Sequence, residues 1–212
     1  MPLSTDASRL SAPFGGISRL GFGPRFALLM LGLALFGLAI NLMLAADLGL
    51  SPWDLLHQGI DRRAPLSFGQ VSITVGLLVL LASRLLLGQR IGLGSFCNML
   101  FIGVFIDLFA PLIPHPHGWL AWVQFVLGVV LVGLASGMYI GANFGAGPRD
   151  GLVLGLSGRF GWPAKYVRTG VELLVLAVGV LLGGTLGWGT LLFAIGVGPA
   201  MSFGLGLFGL RR

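Results

Sequence analysis

Two eight-residue stretches decide the fold: D-L-G-L-S-P-W-D at residues 47–54 and N-F-G-A-G-P-R-D at residues 143–150. Each interrupts a long apolar run, and they share Gly49, Pro52 and Asp54 in one, Gly145, Pro148 and Asp150 in the other. The spacing predicts two short helices. Pro52 and Pro148 suit a first helical turn, where the missing N–H would have had no partner in any case. Ser51 and Gly147 precede them as N-caps. Asp54 and Asp150 then fall at the third helical position. There a carboxylate can reach back to free backbone N–H groups and meets the positive end of the helix dipole.

The likeness extends outward. With residue n set against n + 96, 12 of the 29 columns from Leu31 to Gly59 are identical; with n + 95, 9 of the 26 from Leu78 to Gly103. That is well above what a Leu- and Gly-rich composition gives by chance, and an internal repeat sets the architecture.

Around the two breaks lie six apolar runs of about twenty residues, the length that crosses a bilayer core. They are expected at 26–46, 68–87, 93–113, 119–142, 163–182 and 188–208. Ser67 with Gln70 makes a capping box at the second, and Pro163 opens the fifth. A short apolar piece follows each break. Each repeat therefore holds three full spans and one interrupted short helix. Three is odd, so the second repeat enters the membrane from the opposite side. The expected fold is all-α, six transmembrane helices as two inverted three-helix repeats. Residues 1–24 form a cytoplasmic N-terminal segment, 25–114 the first repeat and 119–210 the second. The N-terminal stretch lacks a short apolar core followed by a small-residue cleavage site, so no removed signal peptide is expected.

Composition agrees. Of 212 residues 56% are hydrophobic and 9% charged, with a mean hydropathy of +0.96. A soluble domain carries about 25% charged residues, so a soluble enzyme and a disordered chain are excluded. A β-barrel would alternate apolar and polar residues; these runs are continuous. The net charge of +6 does not point to nucleic acid, because the basic residues edge the apolar runs and face anionic lipid. With the N-terminus inside, 11 of the 13 basic residues lie in inside segments, and only Arg62 and Arg63 lie outside. The positive-inside rule thus favours a multi-pass protein of the bacterial inner (plasma) membrane with both termini cytoplasmic.

The single Cys97 excludes an intramolecular disulfide and a cysteine-based metal site. His115 and His117 are too few for a metal centre and read as part of an outer turn. No cofactor is expected. Neither H-E-x-x-H, G-x-S-x-G nor a phosphate-binding G-x-x-x-x-G-K-[ST] occurs, and the chain is read as a non-enzyme.

The candidate solute-binding residues are Pro52, Trp53, Asp54, His57, Pro148, Arg149, Asp150, Arg168 and Glu172. Two helix starts entering from opposite faces would meet near the midplane and offer N–H donors, two carboxylates and Arg149 to a polar or anionic organic solute. Trp53 and His57 in one copy face Arg149 and Val153 in the other, a stacking surface against a cationic one. His57 could titrate, or could simply be solvated near the outer surface. Glu172, inside the fifth span, is a functional candidate by position or an i,i+4 partner of Arg168. Asp107 lies close enough to the outer face to be hydrated. Asn41 and Asn98 can hydrogen-bond between helices. Gly133, Gly137, Gly141 and Gly145, with Gly37, Asn41, Ala45 and Gly49 opposite, form small-residue stripes that would pair the first span with the fourth.

The segments A-x-x-G-A-G-P-R-D-G-L at 142–152, R-x-x-x-E at Arg168 and Glu172, and G-G-T-L-G-W-G-T at 183–190 resemble the YczE-like bacterial membrane proteins, relatives of the YitT group. The resemblance covers nearly the whole chain after about residue 24. It implies an integral inner-membrane protein. Family members often lie beside regulators that use pyridoxal phosphate, which implies a vitamin B6-type solute; the resemblance supplies no binding site. The function expected is secondary transport of a small polar or anionic organic solute, a vitamin-like one included, by alternating access between the repeats. The alternative is a non-transporting membrane scaffold or accessory protein, with a narrow channel third. Expected partners are membrane lipid, a small-molecule solute and, through an exposed glycine stripe, a second copy in a homodimer.

Overall fold

A computed structural model describes residue 14, residues 16–145 and residues 147–210. Most of the expected N-terminal cytoplasmic segment lies outside the described residues. Among them the chain is helical and has no strand. Eight α-helices follow in order: α1 (Phe22–Ala46), α2 (Pro52–Asp61), α3 (Phe68–Leu85), α4 (Leu93–Phe109), α5 (Trp119–Gly141), α6 (Pro148–Phe160), α7 (Ala164–Leu181) and α8 (Trp188–Leu207). The two short helices, α2 and α6, begin at the prolines as expected. Ser67 and Gln70 close the expected capping box on α3.

Among the described residues five helices are long and apolar enough to cross a membrane: α1, α3, α4 with its 3-10 extension to Leu112, α5 and α8. The sixth expected span, α7, has 18 residues but carries Lys165, Arg168 and Glu172. It differs in composition because two of its charges belong to the site described below. Large apolar side chains such as Leu31, Leu78, Leu85, Leu174, Leu181 and Ile195 point outward, each more than 60% exposed. Such a surface suits lipid rather than water. Trp119 and Trp188 stand at the starts of α5 and α8, as aromatic residues do at bilayer interfaces.

The core forms where α1 packs along α5. Gly32 lies against Ala135 and Tyr139, and Gly128 against Ala39 and Met43. The pairing of first and fourth spans is therefore present, but not through the expected stripe. Gly133 and Gly137 face Ala200 and Gly204 of α8, and Gly141 faces Phe208 just past its end, while Gly37 faces Phe105 and Ile106 of α4. At 3.6 residues per turn, Gly128, Ala135 and Tyr139 occupy one side of α5 and Gly133, Gly137 and Gly141 nearly the opposite side. A helix between two neighbours uses two small-residue faces, and the longer stripe serves α8. Asn41 donates to the carbonyl of Ile106 at 2.8 Å, the interhelical bond expected of it.

The short helices cross over. α2 packs on α7 and α6 on α3. Arg63 donates to the Leu181 carbonyl at 3.3 Å, and Arg159 to the Leu86 carbonyl at 2.6 Å. The loops before them are held in the same way: Gly189 N–H donates to Leu48 O at 2.7 Å, and Gly94 N–H to Phe144 O at 2.9 Å. Each pair of contacts is related by the 96 or 95 offset of the sequence repeat. The loop backbones also match, with Asp47 and Asn143 at φ 49° and 56°, and Gly49 and Gly145 at φ 113° and 116°. A side chain at those two glycines would be strained in that conformation, and at Gly49 it would also crowd the start of α8. The expectation that Asp107 is merely hydrated is corrected. Its carboxylate accepts from Ser67 Oγ and, at 2.9 Å, from Gly69 N–H. It completes the first turn of α3, whose free N–H groups need acceptors.

Candidate functional site

The crossing of the short helices leaves a cavity of about 430 Å³ between the starts of α2 and α6. Its lining includes Pro52, Trp53, His57, Pro148, Arg149, Asp150, Arg168 and Glu172. Eight of the nine candidate residues are thus brought to one space, across up to 120 positions of sequence. The ninth, Asp54, is not in the lining. It sits behind it, almost fully buried at 3% exposure.

The two aspartates of the repeated motif do different work. Ser51 Oγ accepts from Asp54 N–H at 3.2 Å and caps α2, and the same hydroxyl donates to Asp54 Oδ2. Asp54 therefore holds the capping side chain and, among the described residues, accepts no backbone N–H. Asp150 departs further from the expected helix-start role. Gly147 offers α6 no side-chain cap, and the Asp150 carboxylate accepts from Tyr139 Oη at 3.3 Å and Arg168 at 3.0 Å. Arg168 also lies 3.4 Å from Glu172. One guanidinium thus serves two carboxylates, and Glu172 is both its i,i+4 ion-pair partner and part of the cavity lining. The three side chains are about one third to one half exposed, so this network stands in the open part of the cavity.

Arg149 is placed differently. Its guanidinium carbon lies 4.8 Å from the centre of the Trp53 ring, within the range of a cation–π contact. Among the described residues it has neither a hydrogen bond nor an ion pair within 4 Å. A half-buried guanidinium with its hydrogen-bonding edge free can take a carboxylate or phosphate through two parallel bonds.

His57 is not a solvated surface residue. It is 2% exposed and packs edge-on against Phe68, with ring centres 5.8 Å apart. Its Nδ1 stands 3.9 Å from Asp54 Oδ1, and neither atom has a hydrogen-bond partner among the described residues. Phe36, Ile40, Ile102 and Val132 supply apolar lining, beside the uncharged polar Ser72, Asn98 and Ser136. Reading the sequence for ionisable residues missed these, and it missed Tyr139, the hydroxyl that holds Asp150. The signal for Tyr139 was available, as a tyrosine in an otherwise apolar span.

A family of unknown function (DUF6198) matches residues 23–205. The chain is similar to the uncharacterized membrane protein YczE of Bacillus subtilis, 36% identical over 85% of both chains. An uncharacterized protein of Haemophilus influenzae is 33% identical over 85% of this chain and 83% of its own. The uncharacterized protein YyaS of Bacillus subtilis is 26% identical over 76% of this chain and 83% of its own. No solved structure matches. Matched over most of its length to these proteins, and with five helices apolar enough to cross a bilayer, the chain belongs to the DUF6198 family and is a YczE-like, multi-pass membrane protein.

Proposed function

We propose that the protein is a secondary transporter, not an enzyme, that moves a small organic anion across the bacterial inner membrane by alternating access between two inverted repeats. The observation that carries this reading is the cavity bounded by both copies of the motif, with Arg149 stacked on Trp53 and, among the described residues, making no ion pair within 4 Å, while Asp54, Asp150 and Glu172 act on it at longer range. A closed scaffold would fill that space with apolar side chains, so the cavity favours transport over the scaffold reading. The paired contacts of the two halves support a two-fold relation. Equivalent carbonyls, Leu48 and Phe144, are held by equivalent glycines, Gly189 and Gly94. With α7 counted as a sixth span, its Arg168 and Glu172 turned to the cavity, the positive-inside rule favours both termini in the cytoplasm and one motif on each side. Broken segments at matching places in inverted halves are where secondary transporters bind their solutes.

The test is uptake into proteoliposomes of radiolabelled succinate, citrate, inorganic phosphate and pyridoxal phosphate. Saturable uptake of at least one, lost in Arg149→Gln, is expected. Uptake of all of them at the rate of empty liposomes would remove the anion-transport reading.

A further inference from the structure

We propose that Asp54 and His57 form the binding site of the ion that drives transport, and that this ion is a proton. This rests on the transporter reading above. The two residues lie one turn apart on α2, and both are buried. Asp54 Oδ2 is occupied by the Ser51 hydroxyl. Asp54 Oδ1 and His57 Nδ1 stand 3.9 Å apart, and they are the two buried side-chain atoms left without a hydrogen-bond partner among the described residues. Buried polar atoms are satisfied as a rule, and a pair left empty side by side needs an explanation.

A proton supplies one. At 3.9 Å no direct hydrogen bond exists, and a small rotation of either side chain closes the gap. With the imidazole's own hydrogen on Nε2, an added proton sits on Asp54 Oδ1 and is donated to Nδ1, or sits on Nδ1 and is donated to Oδ1. Either way one proton satisfies both atoms and leaves no second group unpaired. A metal ion fits less well. It needs three or four ligands, and among the described residues no group of three His, Cys, Asp or Glu is clustered. His57 is the member of the pair that lines the cavity, and Asp54 lies behind it. The imidazole is therefore the route by which a proton passes between cavity water and the carboxylate, taken at one ring nitrogen and released at the other.

The charges around the pair link it to the solute. The helix α2 packs on α7 and α3. From α7, Arg168 and Glu172 share the cavity, and Arg168 is held by Asp150 and Glu172. α3 presents Phe68 to His57 and carries no charged side chain before Arg84. Arg149 is the charge that acts on both Asp54 and His57. The charge of Arg149 opposes a proton on the pair. An anion bound to Arg149 cancels that influence, and the pair takes a proton. Anion and proton thus promote each other's binding, and the effect is reciprocal. The direction of coupling is symport.

Infrared difference spectroscopy of the full chain in lipid, titrated with pH, tests the site directly. A carboxylic-acid C=O band that fades as pH rises is expected. It should be absent in Asp54→Asn, unchanged in Asp150→Asn, and shifted in midpoint by about one pH unit in His57→Gln and in Arg149→Gln. Thermal melting of each variant confirms that it is folded, and Asp54→Ser serves if Asp54→Asn is not. A band that survives in Asp54→Asn, or a midpoint unmoved in His57→Gln, overturns the proposal. Uptake of the same four anions with and without an inward proton gradient separates the two readings. Uptake that ignores both the gradient and Asp54→Asn overturns proton coupling and leaves the transporter. Failure of every anion with the Asp54 band present overturns the transporter reading and, with it, the coupling.

Discussion

The guanidinium of Arg149 lies over the indole of Trp53, 4.8 Å from the ring centre, and the two residues occupy the same position in the two copies of the repeated motif. Equivalent residues of a duplicated unit touch each other only near the axis that relates the copies. The contact therefore supports a two-fold relation between the halves. It also explains why the copies differ there. Two arginines would repel and two tryptophans would leave no charge, whereas one of each makes an attractive pair with one edge free.

If that contact orients Arg149 for the solute, Trp53→Phe should keep most of the affinity and Trp53→Ala should lose about 1 kcal/mol, a roughly fivefold rise in KM. Anion uptake at varied concentration reads this. An unchanged KM in Trp53→Ala would show that the stacking plays no part in binding.

Arg149→Lys keeps the charge but not the planar fork. An ammonium cannot make two parallel bonds to one carboxylate, so affinity should fall about tenfold with maximal rate less affected. Equal affinity in the two proteins would remove the two-bond geometry from the proposal.

Asp150→Asn removes the ion pair to Arg168, whose side chain is 53% exposed. An exposed pair contributes under about 1 kcal/mol, so the melting temperature should hardly move. Uptake should fall, because Arg168 is then left to Glu172 alone and Tyr139 loses a charged acceptor. A large stability loss with normal uptake would make Asp150 a purely structural residue.

Gly137 packs on the backbone of Gly204, and Gly133 on that of Ala200. An added methyl group at either position overlaps main-chain atoms that cannot rotate away. Gly137→Ala should cost about 1–3 kcal/mol through overpacking, whereas Gly170→Ala, which meets open space, should be neutral. Thermal melting in detergent compares them. Equal melting of the two would refute the close α5–α8 contact.

The inverted arrangement predicts opposite labelling. In a Cys97→Ala background, Leu66→Cys after α2 and Gly158→Cys near the end of α6 should react with an impermeant thiol reagent from opposite faces of oriented vesicles. Labelling of both from one face would end the inverted-repeat proposal and the alternating-access mechanism built on it.

Much of this was legible in the chain. The prolines at 52 and 148 start helices because their chemistry suits a first turn, and Ser51 and Ser67 cap because a hydroxyl can reach an N–H three residues on. Helix boundaries fell within a few residues of expectation because apolar length and breakers act locally. The roles of the two aspartates were not legible. Identical motif positions predicted identical work, yet Asp54 meets Ser51, which the second copy lacks, and Asp150 meets Tyr139 and Arg168, which come from other helices.

The sequence by itself determined the lipid-facing composition, the eight helices and the duplication, since each depends on neighbours within one or two turns or on a repeat read directly from the letters. Tertiary structure alone decided which glycine stripe meets which helix, that Asp107 caps α3, that His57 is buried, and that Arg149 reaches Trp53 instead of an acidic partner. Those outcomes depend on which faces of distant helices are turned together. That choice is made by packing in three dimensions, where a residue 96 positions away can be nearer than one on the next turn.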